Sequence, residues 1–347
     1  MTASARTLAP SGIIGLVAAL AAFGAWGVGG SGLTALEWSV YDRWLRTRSP
    51  AAVSADLVLV VRDPASEARF GSGSWDRAVL ARLVTSLSRA GAMAIGLDVP
   101  VGDPSPPGRG GATSDAMLSE ATALAGAVVY PLSFERLPVP TQRLGAVGHT
   151  LTVADADGVV RRASLSVQAG DQRVPVFAAQ LITAAPVKGP ASILIDYVAA
   201  GAEPGLGALP FSEVWRTVEQ RDGDALARLV GDRIVLVLAE VPAPPRPTPV
   251  GPMADMVIQA HLLNTLLTKG GTAETPAAFT IVGVLLAAVL AAWLLLSLGS
   301  WKGLTGIGAL VAGYAVSLVL ALPAGLALPV WAPFSAVAMA AAGALLW

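Results

Sequence analysis

Two kinds of hydrophobic pattern divide the chain. Ser11–Gly30 (SGIIGLVAALAAFGAWGVGG), Ala277–Leu298, Leu304–Leu322 and Ala327–Trp347 are long apolar runs, whereas the stretch between Glu37 and Thr275 interleaves short apolar runs with polar ones. Each long run approaches the ~20 residues that a helix needs to cross a hydrocarbon core. Backbone groups have no water partners there, so such segments must be helical. The pattern predicts transmembrane helices over residues 11–30, 277–298, 304–322 and 327–347, with a cytoplasmic segment 1–10 and a water-soluble region 31–275. Pro329 and Pro333 stand at the start of the last run, where a first helical turn tolerates proline.

The middle region reads as one domain of alternating strands and helices. Leu57–Val61 (LVLVV), Met93–Val99, Ala127–Leu132, Ile193–Asp196 and Ile234–Ala239 have the length and apolar content of buried strands. Val79, Leu80, Leu83, Val84 and Leu87 share one face of a predicted helix over 76–90, which Gly91 terminates. Further helices are expected over 114–125, 210–219, 224–230 and 255–268. Near-continuous apolar strands between helices imply a mixed sheet covered on both faces. His149–Val167 differs: two alternating arms flank Asp157-Gly158, the signal of a hairpin with a type I′ turn. Two irregular loops, Gly102–Gly111 and Val241–Pro252, follow strand ends, the edge at which ligands bind in open α/β sheets.

Charge sharpens this division. Apolar residues make up 54% of the chain and charged ones only 14%, and the charges are concentrated in the middle. No charged residue lies between Arg6 and Glu37, and beyond Thr275 the sole charge is Lys302. Arg6 and Lys302, read by the positive-inside tendency, put both termini in the cytoplasm and the large domain outside. Trp26, Trp293, Trp301, Trp331 and Trp347 fall near predicted interfaces, where indole rings are favoured. The first run is long for a signal-peptide core, so it is expected to remain as an anchor. A net charge of −1 gives no basic patch for nucleic acid.

Candidate chemistry is sparse. The chain has no cysteine and two histidines, His149 and His261, so disulfides, thiolates and histidine-rich metal sites are not expected. Gly71-Ser72-Gly73-Ser74 lacks the lysine of a phosphate loop and is not a nucleophile elbow. Asp155 and Asp157 fall short of a calcium loop. No catalytic constellation and no cofactor motif is present, so the chain is not read as an enzyme. The residues singled out for ligand binding are Asp63 and Asp98, each following an apolar strand, with Trp75 and His261. For each carboxylate the alternative is a helix cap.

The order of these motifs resembles the type-two CHASE extracellular sensory domain of bacterial signalling proteins, over about residues 33–270. The resemblance rests on EWSVYDRWLRTR at 37–48, with Asp42, Arg46 and Arg48; on the strand and acid ending at Asp63; and on Trp75 with RAVLARLV. It continues through GAMAIGLDV with Asp98, ADADGVVRR at 154–162, ILIDY at 193–197, GDRIVLV at 231–237 and QAHLLNTLL at 259–267. Arg62 and Pro64 depart from the pattern, which has an apolar residue and a second acid there. The resemblance implies a multi-pass sensor of the inner membrane with a periplasmic domain, whose cytoplasmic output lies beyond Trp347 or in a separate subunit. Its partners would be the lipid bilayer, with a homodimer or a cytoplasmic signalling subunit as alternatives, and its ligand is unnamed. A non-catalytic structural subunit of a larger membrane assembly is the competing expectation.

Overall fold

The computed structural model describes residues 3–28, 30–99, 104–132, 145–182, 192–198, 206–240, 244–268 and 270–347. Of the two irregular loops, residues 102–103 and 241–243 lie outside the described residues, as does the side chain of Trp26. The chain forms two compact units. One comprises Met1–Arg48, Ala154–Val159 and Thr272–Trp347; the other comprises Ser49–Val153 and Val160–Gly271.

In chain order the helices α1 (Ala3–Val28) and α2 (Gly30–Thr47) come first. The second unit then opens with β1 (Leu57–Val61), α3 (Pro64–Phe70), α4 (Arg77–Arg89), β2 (Ala94–Leu97), α5 (Gly111–Ala125), β3 (Val128–Leu132) and β4 (Ala146–His149). Three short strands follow, β5 (Arg162–Ser164), β6 (Ser166–Ala169) and β7 (Gln172–Pro175), then α6 (Phe177–Ile182) and β8 (Ser192–Leu194). The unit closes with β9 (Leu209–Pro210), α7 (Phe211–Gln220), α8 (Gly223–Val230), β10 (Ile234–Leu238) and α9 (Asp255–Leu267).

Six strands make one sheet in the order β4-β3-β2-β10-β1-β9. Every pairing in it is parallel. The expected mixed sheet is therefore a parallel sheet; among the described residues antiparallel pairing occurs in the small pairs β5–β8 and β6–β7 and in two isolated bridges. The hairpin expected around Asp157-Gly158 is reduced to a tight turn. Gly158 N–H donates to Asp155 O at 2.8 Å and Gly158 takes φ +83°, but beyond the Asp155 N–H to Val159 O bond (3.0 Å) the arms share one isolated bridge, Val153 with Arg162. The second arm pairs with β8 instead.

Alternation within the strands sorts the core. Val58, Val60, Ile95, Leu97, Val128, Tyr130, Val235 and Val237 pack with Leu80, Leu83, Leu87, Leu118, Phe211, Val214 and Leu226 from α4, α5, α7 and α8. Helices α6 and α9 pack together, and α6 lies against β2, β3 and β4. That contact is close enough to demand glycine. A methyl group on Gly148 of β4 would come within 2.4 Å of Phe177 Cα, at the start of α6.

The first unit adds β11 (Ala273–Glu274), α10 (Ala277–Leu298), α11 (Ser300–Ala321), β12 (Leu326–Ala327) and α12 (Trp331–Leu346) to α1 and α2. Among the described residues three helical segments are long and apolar enough to cross a membrane: Thr7–Ala25, Ala277–Leu298 and Ser300–Ala321. The fourth predicted span shortens to α12, a 16-residue apolar helix, because 326–327 pair as strand and Pro329 precedes the helix. Alanines fill the seam between α1, α10 and α12, including Ala19, Ala22, Ala288, Ala291, Ala336 and Ala340. Small side chains let such helices approach closely without any hydrophobic drive between them. Thr7 and Ser297 hydroxyls meet at 3.0 Å, so α1 and α10 run antiparallel. At the other end of the bundle Glu37 of α2 accepts the N–H groups of Val330 (2.9 Å) and Trp331 (2.6 Å), capping α12 with a carboxylate, which the helix dipole favours.

The Gly148 contact sets a test of the domain. Gly148→Ala is expected to lower its stability by about 1–3 kcal/mol, the usual range for forcing a methyl into a packed core. Chemical denaturation of the full chain in detergent, followed by tryptophan fluorescence, measures it; an unchanged midpoint would contradict the β4–α6 approach.

Candidate functional site

The carboxyl ends of the parallel strands gather most of the singled-out residues. Arg62, immediately after β1, organises this edge. Its side chain is buried, and its guanidinium donates to Glu67 Oε1 (2.9 Å), Ala239 O (3.0 Å) and Gly71 O (2.9 Å). It also lies over the Trp75 ring at 4.6 Å. The planar fork of an arginine can serve several acceptors at once, as a lysine ammonium cannot. Arg62 thus ties β1, the segment after β10, α3 and the glycine-rich loop together. Gly71 O accepts a second bond, from Trp75 Nε1 at 2.8 Å, so the loop that carries no phosphate motif acts as a clamp.

Trp75 is buried among aromatic rings, 5.3 Å from Phe70 and 4.6 Å from Phe211. Asp63 is fully engaged. It caps α3 by accepting the N–H of Ala65 (3.2 Å), and it also accepts the N–H (2.9 Å) and O–H (2.8 Å) of Ser212 in the first turn of α7. Burial alone would raise its pKa, but the bonds from Ser212, Ser66 and Ala65 outweigh it and hold the carboxyl below its ordinary value. One carboxylate at two helix N-termini is a structural joint.

Asp98 has the opposite surroundings. It follows β2, where its N–H donates to Val237 O at 3.0 Å. Its carboxyl is half-buried and, among the described residues, has no hydrogen-bond or ion-pair partner. Burial first, and then the negative charges of Glu240 and Asp255, push its pKa up to about 7. Glu240 accepts the Ser74 O–H at 2.6 Å. Asp255, at the start of α9, accepts Arg246 Nε at 2.7 Å and the Thr152 O–H at 3.2 Å. A cavity of about 160 Å³ opens alongside, lined by Ser74, Trp75, Arg77, Ser105, Arg109 and Glu240. Arg77 is paired with Asp115 at 2.7 Å.

His261 belongs elsewhere. It is buried in α9, where its Nδ1 accepts the Val198 N–H at 3.3 Å and its ring packs 5.4 Å from that of Tyr197. Burial lowers its pKa to about 4, so it is a neutral core group at physiological pH. Among the described residues no group of three or more His, Asp or Glu could hold a metal ion. Sequence reading missed Arg62, Glu240 and Asp255. Their signal was present only as position: Arg62 and Glu240 each sit just past a strand of the parallel sheet, but the strand order was needed to bring them together.

A parallel sheet whose carboxyl edge gathers carboxylates, arginines and aromatic rings stands in one chain with apolar helices long enough to cross a membrane. The chain belongs to the CHASE2 domain family, whose model matches residues 16–299, well over half its length. CHASE2 domains are extracellular sensory domains, which accords with the candidate membrane helices that precede and follow the α/β unit. No curated protein and no solved structure gives a significant match.

Two measurements probe this edge. Arg62→Ala should cost about 3 kcal/mol, the scale of a charged group's lost hydrogen bonds, and Arg62→Lys should recover only part of it in the same denaturation assay. Asp98 keeps its proton to about pH 7 when folded, against an ordinary value of 3.8. Its contribution to stability is therefore greatest below 3.8, falls as pH rises towards 7, and is flat beyond. Asp98→Asn should remove that fall and raise the unfolding temperature at pH 8 by roughly 2–4 °C or more; equal pH profiles for the two proteins would refute the assignment.

Proposed function

We propose that this chain is the input module of a membrane-bound signalling protein. Its α/β unit lies outside the inner membrane and detects a small, positively charged or hydrogen-bond-donating ligand at the carboxyl edge of the sheet. Its helices carry the response to a cytoplasmic output, on a longer form of the chain, on a separate subunit or in a homodimer. The carrying observation is Asp98, a half-buried carboxyl without a partner among the described residues, flanked by Glu240 and Asp255. Asp98 feels the negative charges of Glu240, just past β10, and of Asp255, at the start of α9, and a ligand cation beside Asp98 relieves that repulsion. The Trp75 face and the small cavity beside Glu240 supply shape. Lys302 in the first turn of α11 supports the inward placement of that end of the helix.

A ligand that binds only one of two arrangements shifts their populations by its differential affinity. The reading predicts that full-length protein in nanodiscs, screened by thermal unfolding against small amines and amino acids, is stabilised by at least one of them. At one hundred times the Kd the gain is roughly 2.7 kcal/mol. The shift should be larger at pH 8 than at pH 6, because the site is then more negative, and Asp98→Asn should abolish it. A stabilising ligand that survives both Asp98→Asn and Glu240→Gln would place the site elsewhere.

A further inference from the structure

We infer that the helix bundle contains a preformed site for one acyl chain of a bilayer lipid. The inference rests on the membrane placement of the bundle and is independent of the ligand site in the α/β unit. Its starting point is an uneven packing of α11. Near its start, α11 presses against α10 through glycines: a methyl on Gly303 would meet Leu295 Cα at 2.7 Å, and one on Gly306 would touch the Leu294 side chain at 3.3 Å. Gly308 and Gly313 have open space around them. α11 packs mainly on α10 and only lightly on α12. A cavity of about 590 Å³ remains between the three helices, walled by Phe279, Gly283, Ala287, Leu310, Tyr314 and Phe334 among others. Its volume falls within the roughly 300–1,000 Å³ typical of small-molecule sites.

The rim of this cavity is fixed by polar bonds, so it is not a slack gap. Tyr314 O–H donates to Pro329 O at 2.5 Å, and Thr275 O–H donates to Ala327 O at 2.8 Å. β11 pairs with β12, and Glu37 holds the first turn of α12. Tyr314 and Thr275 line the cavity and already have partners there, and no charged side chain lines it. Apart from those two groups and the Thr280 hydroxyl its wall is apolar, so it offers no charge to a carboxylate or a phosphate and mainly apolar contact. The surfaces beside it are apolar as well: Phe279, Val282 and Leu286 of α10 and Val316 of α11 are exposed. In a bilayer the medium that reaches such an opening is lipid tail. With no charged group in the wall to receive a head group, the occupant is a chain whose head group stays at the interface.

Gly283 provides the test, because it lines the cavity and a methyl there would touch nothing within 4 Å. Full-length protein in nanodiscs is labelled with a phosphatidylglycerol carrying a diazirine in mid-chain, and labelled peptides are mapped by mass spectrometry. Strong labelling of Tyr314 and Phe334 is expected. Gly283→Trp should lower it roughly tenfold, as loss of a few methylenes' burial implies, while labelling of exposed Val319 and Leu320 stays unchanged. Ala287→Phe serves if Gly283→Trp fails to fold. Labelling that is uniform over all lipid-facing residues, or unchanged in both filled variants, overturns the site. Absence of label from Val319 and Leu320 as well overturns the membrane placement beneath it. Labelling by a free diazirine fatty acid but not by the phospholipid overturns the assignment to a bilayer lipid.

Discussion

The α/β unit depends on the insertion of β10 between β1 and β2. Those two strands come early in the sequence, yet they share no pairing; each bonds to β10, from Leu57–Val61 on one side and Ala94–Leu97 on the other. Without β10 the sheet falls into two pieces, β4-β3-β2 and β1-β9. Closing it requires contacts across nearly the whole domain, the kind of non-local pairing that makes folding slow. Once β10 is in place, its end and the segment after it set the carboxyl edge. Ala239 O receives Arg62, Val237 O receives the Asp98 N–H, and Glu240 is brought to face Asp98. Topology and site are thus consequences of one insertion.

Asp63 and Asp98 show how strongly surroundings decide the role of one side chain. Both follow buried strands and both looked alike as candidates. The Asp63 carboxylate accepts three hydrogen bonds, from the Ala65 N–H in the first turn of α3 and from the Ser212 N–H and O–H in the first turn of α7; it joins two helices. Asp98 receives no such donors among the described residues and instead faces Glu240 and Asp255. Its carboxyl stays poised near neutrality, with a charge that a ligand or a proton can compensate. The aromatic group around Trp75 and the Arg62 guanidinium pack together at the same edge.

The helix bundle follows a different rule. Its seam is alanine and glycine, and its specificity comes from shape and from a few polar bonds at one end. Glu37 caps α12, Tyr314 fixes Pro329, and a two-residue strand pair joins the segment before α10 to the turn before α12. These bonds fix one end of the bundle. Exposed Trp301 and Trp347 lie at its opposite end.

Much of this was legible in the amino-acid order, because burial and helix or strand periodicity are local properties. The apolar run 277–298 became α10 with the same bounds, β1 spans Leu57–Val61 as its pattern implies, and α4, α7, α8 and α9 lie within a residue or two of their expected ranges. Short elements such as α3, α6 and β9 carry too few residues for periodicity to register. Tertiary structure alone decided which strand lies beside which, that the main sheet is parallel throughout, and that the second arm of the Asp157-Gly158 turn pairs with β8 rather than with its neighbour. It also decided that Arg62, an apparent departure in the sequence, is the clamp of the sheet edge, and that Asp63 is a cap while Asp98 is not. The reason is common to all of these: sequence fixes what each segment would bury, but a hydrogen-bond partner or a neighbouring charge is supplied from distant residues, and only the folded chain brings them within reach.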